Sequence, residues 1–260
     1  MLRRATELDP RSVQSWLALT VSLIFLHRYP EALTAIDQGL AVDPTSFRAQ
    51  QLRAIVFLGQ GDFAGAQRSL AAVPRDLDQA AFVAYLGNYN DLFWVLTRDQ
   101  QTLLLTLPPS AFDNDRGTWG GVMAQTYWLR GDQAKMRAYA DSARVVIEAE
   151  LRDAALDSQL HVFLGLALAY LGRKADAIRE GLRGLELARR VGELSVPYIQ
   201  HQLARVYVLV GQPEEALDQL ESILKVPYYL SPDWLRIDPN FAALKGNPRF
   251  ERLVAAKPGG

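Results

Sequence analysis

The chain has 260 residues and a formal net charge of −1, and 49% of its residues are hydrophobic and 22% charged. This composition is typical of a folded globular protein and excludes a largely disordered chain. The near-zero net charge argues against binding to nucleic acid or anionic membranes through bulk electrostatics. Because cysteine is absent, disulfides, thiolate zinc sites, iron–sulfur clusters and cysteine nucleophiles are excluded.

Short sequence patterns recur along the chain. Leu8-Asp9-Pro10 returns as Val42-Asp43-Pro44 at a spacing of 34 residues, and Ala32 returns as Ala66 at the same spacing. Glycines in similar turn-like contexts follow at positions 131, 172 and 211. A recurrence at this period predicts a repeat protein.

The glycines separate pairs of helical patterns. Before Gly172, apolar residues recur at the helical period from Leu160 to Leu171, and a second apolar stripe runs from Ala177 to Leu185. Glycine ends a helix readily because it adopts the left-handed conformation without a steric cost. Each unit is therefore predicted to be a helix, a tight turn and a second helix.

This unit resembles the tetratricopeptide repeat. The first unit carries the residues that match its pattern: Trp16, Leu19, Thr20, Leu23, Ala32, Ile36, Gly39 and Pro44. The resemblance implies an all-α, right-handed helix-turn-helix solenoid with a C-terminal capping segment. Its predicted units span about 11–44, 47–74, 76–107, 117–153, 158–188 and 197–226.

The two ends of the chain differ from the repeats. Residues 1–10 are interpreted as the remnant of a preceding repeat's second helix, which predicts that the chain was cut from a longer one. Residues 231–260 are predicted to form the C-terminal cap and tail, with short helices that begin at Asp-Pro or Asn-Pro pairs.

The third unit fits the repeat pattern less well. Its residues Gly87 to Asn90 predict a turn and Thr97 to Gln100 predict a capping box, and the sequence does not fix the helix boundaries there.

The tail also resembles the C-terminal ends of tetratricopeptide regions in large bacterial signalling proteins, such as serine/threonine kinases and adenylate cyclases. The resemblance lies in Leu235 to Phe241 and in Asn247-Pro248-Arg249-Phe250. It implies an attached kinase or cyclase domain in the parent chain. A cytoplasmic location is expected by default, and an extracytoplasmic one if that parent is a membrane-anchored kinase. The longest apolar stretch, Val162 to Gly172, is about half of a membrane-spanning helix, so no membrane insertion of this segment is expected.

Residues for catalysis or metal binding do not form a recognisable pattern. His27 is expected at an exposed turn, whereas His161 and His201 lie near the starts of first helices in adjacent units and are potential neighbours. No HExxH pair, Gly-x-Ser-x-Gly elbow or phosphate-binding glycine loop is present. The glycines are interpreted as turn and helix-packing residues. We therefore expect no enzyme activity, no catalytic residues, no cofactor and no metal, and we do not expect nucleic-acid binding.

The predicted function is that of a protein–protein interaction scaffold or regulatory module that binds a peptide segment or a partner helix in the concave groove. The strongest groove candidates, from the repeat register, are Arg48, Gln51, Gln125, Trp128, Tyr170, Tyr198, His201 and Arg205. The same register adds Gln14, Leu17, Val21, Ile55, Val162 and Leu166. Arg48 and Arg205 are expected to orient the partner. The alternative is a sensory domain that binds a small-molecule or peptide signal, which predicts a closed apolar pocket.

Overall fold

A computed structural model describes residues 2–192 and 195–255; residue 1, residues 193–194 and residues 256–260 of the predicted tail lie outside the described residues. Within the described ranges the chain forms α-helices and three short 3-10 helices, without a β-strand. This confirms the all-α fold class.

The first part of the chain contains five helices, four of which begin at a polar cap or have proline in the first turn. They are α1 (Leu2–Leu8), α2 (Val13–Phe25), α3 (Tyr29–Val42), α4 (Phe47–Gly59) and α5 (Phe63–Ala71). The side chains of Ser12, Ser46 and Asp62 each accept a backbone N–H at the start of a helix. Such caps satisfy donors that have no partner within the helix, which is why the chain enters a helix at these points.

The middle of the chain is less regular. It contains α6 (Gln79–Asn88), a 3-10 helix (Tyr89–Trp94), α7 (Arg98–Leu104), a 3-10 helix (Pro109–Phe112), α8 (Arg116–Leu129) and α9 (Gln133–Glu150). The Thr97 hydroxyl accepts from the Gln100 N–H at 3.2 Å, and the Gln100 side chain accepts from the Thr97 N–H at 3.0 Å, which is a complete capping box. The predicted turn at Gly87 to Asn90 is instead the end of α6 and the start of a 3-10 helix.

The last part contains two long helix pairs and the C-terminal elements. These are α10 (Ser158–Tyr170), α11 (Lys174–Val191), α12 (Val196–Leu209), α13 (Pro213–Ile223), α14 (Pro232–Ile237), a 3-10 helix (Pro239–Leu244) and α15 (Pro248–Ala255). Ser231 and Asp238 cap the first two C-terminal elements with their side chains.

The helices stack as a solenoid. Each pair from α2–α3 to α12–α13 packs together, and the first helices α2, α4, α6, α8, α10 and α12 contact one another in sequence. Close approach within a pair depends on small residues, because a Cβ on Gly184 of α11 would lie 2.6 Å from the carbonyl oxygen of Ser158 in α10. The first helices form what we call the concave side.

Residues 226–244, which we call the C-terminal segment, fold back across the concave side. The Ser231 hydroxyl donates to the Gly59 carbonyl oxygen at 2.7 Å, and the Trp234 ring packs edge-on against Trp94 at 6.2 Å between centroids. Trp234 is 1% exposed. The segment therefore covers more than the last repeat, since it reaches from α12 to α4 in the second unit.

Candidate functional site

The centre of the concave side is filled by protein side chains. Arg205 of α12 is only 2% exposed, and its guanidinium donates to the side-chain oxygens of Gln125 in α8 and Gln202 in its own helix. The same guanidinium lies over the Phe93 ring, 5.9 Å from its centroid. Arg205 therefore joins first helices from different units and stabilises the interior of the solenoid.

His201 is buried beside Arg205, under the C-terminal segment. Its Nδ1 lies 3.2 Å from the Tyr229 hydroxyl, and its ring stacks on Phe241 at 5.6 Å between centroids. Burial, together with the positive charge of Arg205, lowers the pKa of His201 to about 3. The imidazole is therefore neutral at physiological pH.

Asp238 places a carboxyl group in the same interior. It accepts hydrogen bonds from the Trp234 indole at 3.0 Å and from the Asn240 backbone N–H at 2.8 Å. Burial raises the pKa of Asp238, while these bonds and the nearby Arg205 act in the opposite direction. This cluster holds the C-terminal segment in place.

The eight strongest groove candidates consequently divide into two groups. Five are buried: Gln51, Gln125, Tyr170, His201 and Arg205. Arg48 is exposed, whereas Trp128 and Tyr198 are half-buried. The repeat register predicted which residues of each first helix face the groove, but it carried no information about the segment that covers this side.

The first cleft is the part of the concave side that remains open near the N-terminal repeats. It has a volume of ≈ 240 Å³. Its walls come from α2, α4, the start of α12 and the C-terminal segment: Val21, Ile24, Phe25, Arg48, Leu52, Ile55, Pro197, Tyr198, Pro227, Tyr228 and Tyr229. Four of the predicted groove residues belong to this lining: Val21, Arg48, Ile55 and Tyr198.

The floor and the rim of the first cleft differ in character. Ile24, Leu52 and Ile55 are buried and form an apolar floor, whereas Phe25 is 37% exposed at the rim. Arg48 is the one charged residue among the described residues that line the cleft, and it donates to Gln51 Oε1 at 2.7 Å. Phe25 follows Val21 by one helical turn, so the repeat register contained the signal that it lies on the same side.

The second cleft, which we call the α8 hollow, lies where α6, α8, α9 and α10 meet. It has a volume of ≈ 50 Å³. Its lining is Gly87, Asn88, Gly117, Thr118, Gly121, Val122, Ala124, Gln125, Ala140, Ala143, Ile147, Phe163, Leu166, Ala167 and Tyr170. The predicted residues Gln125 and Tyr170 belong to this hollow, and Trp128 packs against Tyr170 with 6.2 Å between ring centroids.

The other two histidines have structural partners. His27 is half-buried rather than exposed, because its Nε2 lies 3.2 Å from the Tyr228 carbonyl oxygen. His161 lies between the Glu180 carboxylate at 2.9 Å and the Ala155 carbonyl oxygen at 3.1 Å. In the described ranges, no group of three or more His, Asp and Glu residues is arranged to hold a metal ion.

A family model described as tetratricopeptide repeat matches residues 197–222. These residues cover nearly all of α12 and α13, and the match supports the predicted tetratricopeptide repeat superfamily. No curated protein matches the chain. Among the described residues, no helix is long and apolar enough to cross a membrane.

Several solved structures resemble the fold. A thermophilic tetratricopeptide repeat protein of Thermus thermophilus is 22% identical, with 90% of this chain and 99% of that chain covered and a TM-score of 0.38. The Cut9–Hcn1 hetero-tetramer of the APC/C gives 15% identity, 97% and 45% coverage and a TM-score of 0.47. YrrB, described as a repeat protein with an unusual peptide-binding site, gives 12% identity, 86% and 91% coverage and a TM-score of 0.34.

Proposed function

We propose that this chain is a protein-interaction module that binds a segment of a partner protein in the first cleft. Tetratricopeptide repeats generally mediate protein–protein interactions, and the matched residues 197–222 begin at the wall of this cleft. The observation that carries the proposal is the combination of a buried apolar floor with a rim of aromatic side chains and one arginine.

The residue types at the rim support recognition of protein rather than of polar small molecules. Aromatic residues and arginine contribute most of the binding energy in many protein interfaces, especially where they surround a desolvated centre. Phe25 and Tyr198 offer large apolar areas at a low entropy cost, since each side chain has few rotatable bonds. A partner side chain that inserts between them would displace water from Ile24, Leu52 and Ile55.

Arg48 favours a partner segment with a negatively charged side chain. Its guanidinium is positioned by Gln51, which in turn accepts from the Tyr85 hydroxyl at 3.2 Å. A guanidinium held in this way forms a directed hydrogen bond with a carboxylate at little further entropy cost. The partner segment is therefore apolar or aromatic, with an Asp or Glu close by in its sequence.

Binding by peptide arrays followed by fluorescence anisotropy tests this proposal. Tyr198→Ala and Arg48→Glu are expected to weaken binding of a selected peptide by about tenfold or more each. Arg137→Glu, an exposed change on α9, is the matched charge control and should leave the affinity unchanged. Ligands that bind equally well to all three variants would remove the assignment to the first cleft.

The tail of the chain supports a proposal about the larger protein to which this module belongs. We infer, from the resemblance of residues 235–250 to bacterial kinase and cyclase repeat regions, that the module belongs to a larger signalling protein and regulates an attached enzyme in the cytoplasm. The module itself acts by binding and carries no catalysis in this proposal. The upstream sequence of the parent gene tests the setting, because it contains or lacks such a domain.

A further inference from the structure

Gly121 lies in the interior of α8, but no neighbouring atom requires a glycine at this position. A Cβ built on Gly121 meets no atom within 4 Å, whereas a Cβ on the neighbouring Gly120 would lie 3.1 Å from the Cβ of Ala143. Gly120 is thus required for helix packing, but Gly121 leaves space open. Glycine in a helix interior is destabilising relative to alanine, so its presence here needs another explanation. The expectation that all glycines serve turns or packing is wrong at this position.

The space beside Gly121 is the α8 hollow. Phe163, Leu166 and Tyr170 supply apolar surface on one side, and the residues that line the hollow among those described include no charged side chain. Thr118, Gly121 and Phe163 are half-buried, so the hollow opens to solvent. An apolar recess without charged side chains favours a neutral ligand.

Three neutral polar side chains, Asn88, Thr118 and Gln125, complete the lining. The Gln125 amide is held in one orientation, because Arg205 donates to its Oε1. Its Nε2 group is a hydrogen-bond donor that a ligand carbonyl or hydroxyl oxygen can accept from. The recess therefore combines an apolar wall with an oriented amide.

The volume limits the size of the ligand. An engineered protein cavity of about 150 Å³ binds benzene, and a single water molecule needs about 10–15 Å³ on the same kind of measure. At ≈ 50 Å³, the α8 hollow holds a group smaller than a benzene ring. This is about a third of the benzene-binding volume, so the hollow encloses only part of a ligand, such as the two methyl groups of an isopropyl group, and the rest of the ligand lies in the opening to solvent.

We propose that the α8 hollow is a binding site for a small neutral molecule with a short branched aliphatic group and a carbonyl, amide or hydroxyl end. The site is independent of the first cleft, since the two share no lining residue. Gly121 keeps the site open, the apolar wall receives the aliphatic group, and Gln125 binds the polar end.

Three probes of related shape test the chemistry on the full chain. Isobutyramide is the expected ligand, isobutyrate has nearly the same shape with a negative charge, and acetamide lacks two of the carbon atoms. Backbone amide signals of Thr118 and Gly121 are expected to shift saturably with isobutyramide, with a dissociation constant in the millimolar range for so small a ligand. Acetamide should bind about tenfold more weakly, and isobutyrate should not bind.

The variant Gly121→Ala tests the role of the open space. The added methyl group enters the hollow, so isobutyramide affinity should fall about tenfold or more while the melting temperature rises by about 2–4 °C, because alanine is the better helix residue. Gly120→Ala is the matched control and should lower the melting temperature, because its Cβ meets Ala143.

Two results would overturn the proposal. One is the absence of saturable shifts around Gly121 with isobutyramide, or equal shifts with all three probes. The other is unchanged isobutyramide binding in Gly121→Ala, or a fall in its melting temperature. None of these results bears on peptide binding in the first cleft, which is measured with different variants.

Discussion

The Ser231 hydroxyl donates a hydrogen bond of 2.7 Å to the carbonyl oxygen of Gly59, a residue 172 positions earlier in the chain. The same hydroxyl accepts from the Trp234 backbone N–H at 3.0 Å and so caps α14. One buried side chain therefore both starts the C-terminal helix and attaches it to the end of α4. This link closes the concave side between the second repeat and the C-terminal segment.

Ser231→Ala is expected to lower the free energy of unfolding by about 2 kcal/mol. The change removes a helix cap worth about 1 kcal/mol and leaves a buried carbonyl without its donor, which costs a similar amount. Urea denaturation followed by circular dichroism measures the loss. Ser142→Ala, at an exposed position of α9, is the control, and its free energy of unfolding should stay within about 0.5 kcal/mol of that of the unsubstituted chain. Equal stability of the two variants would contradict the link to Gly59.

Arg249 attaches α15 to the acidic side of α13. Its guanidinium forms a bidentate pair with Glu221 at 2.7 and 2.9 Å and also donates to Asp218 at 2.6 Å. Hydrogen bonding to Arg249 lowers the pKa of Glu221. Arg249 is partly exposed, so solvent screens the network and limits its contribution.

Arg249→Met is expected to lower the free energy of unfolding by about 1 kcal/mol at low salt. The loss should shrink in about 1 M salt, where the Debye length is only about 3 Å. Arg252→Met, an exposed change on the same helix, serves as the control in parallel thermal melts. A loss that is independent of salt would indicate that the packing of the Arg249 stem, and not its charge, is what stabilises α15.

His201 is expected to make the protein acid-labile. Its pKa is lowered to about 3 in the fold, below the ordinary value of 6.5, so the unfolded chain binds a proton more readily. The contribution of neutral His201 to the free energy of unfolding is therefore complete above about pH 6.5. It is lost as the pH falls toward about 3, by up to about 1.4 kcal/mol per pH unit. Asp238 acts in the opposite sense at low pH, because burial raises its pKa.

The comparison of the unsubstituted chain with His201→Phe isolates the contribution of His201, since Asp238 is present in both. Phenylalanine keeps a planar ring against Phe241 and removes the titrating group. Urea denaturation at several values between pH 7 and pH 4 should show the unsubstituted chain losing stability more steeply than the variant. Parallel pH dependences would show that His201 is not buried as a neutral imidazole.

Local features of the fold could be predicted from the sequence. The Thr97 to Gln100 capping box is formed by residues three positions apart, and the helix pair on either side of Gly172 is specified by periodicity and a left-handed turn (φ 76°). The position of Ser231 against Gly59 depends on how far the solenoid curves. That curvature is the sum of small rotations between units, which no local pattern encodes.

For the candidate site, as for the fold, the sequence predicted local features and not the contacts between distant parts of the chain. The register placed Arg48, Tyr198 and Gln125 on the concave side, but it gave no account of Arg205 crossing to Gln125 or of His201 lying beneath Phe241. Gly121 matched the pattern of a packing glycine by sequence, because only the arrangement of α6, α9 and α10 around it leaves the space empty.

Closure of the concave side by the C-terminal segment is the claim on which the first cleft depends, and an engineered disulfide tests it most directly. A Cβ on Gly61 would lie 3.3 Å from the Cβ of Asp233, close to the separation of about 3.5–4.5 Å in disulfides, and the chain has no cysteine of its own. The left-handed backbone at Gly61 (φ 74°) makes its substitution somewhat destabilising, which the single variants Gly61→Cys and Asp233→Cys control for.

Under mild oxidation, the doubly substituted chain is expected to lose both free thiols as a folded monomer. Free thiols that persist in the folded monomer, or disulfides that form only between chains, would contradict the closure.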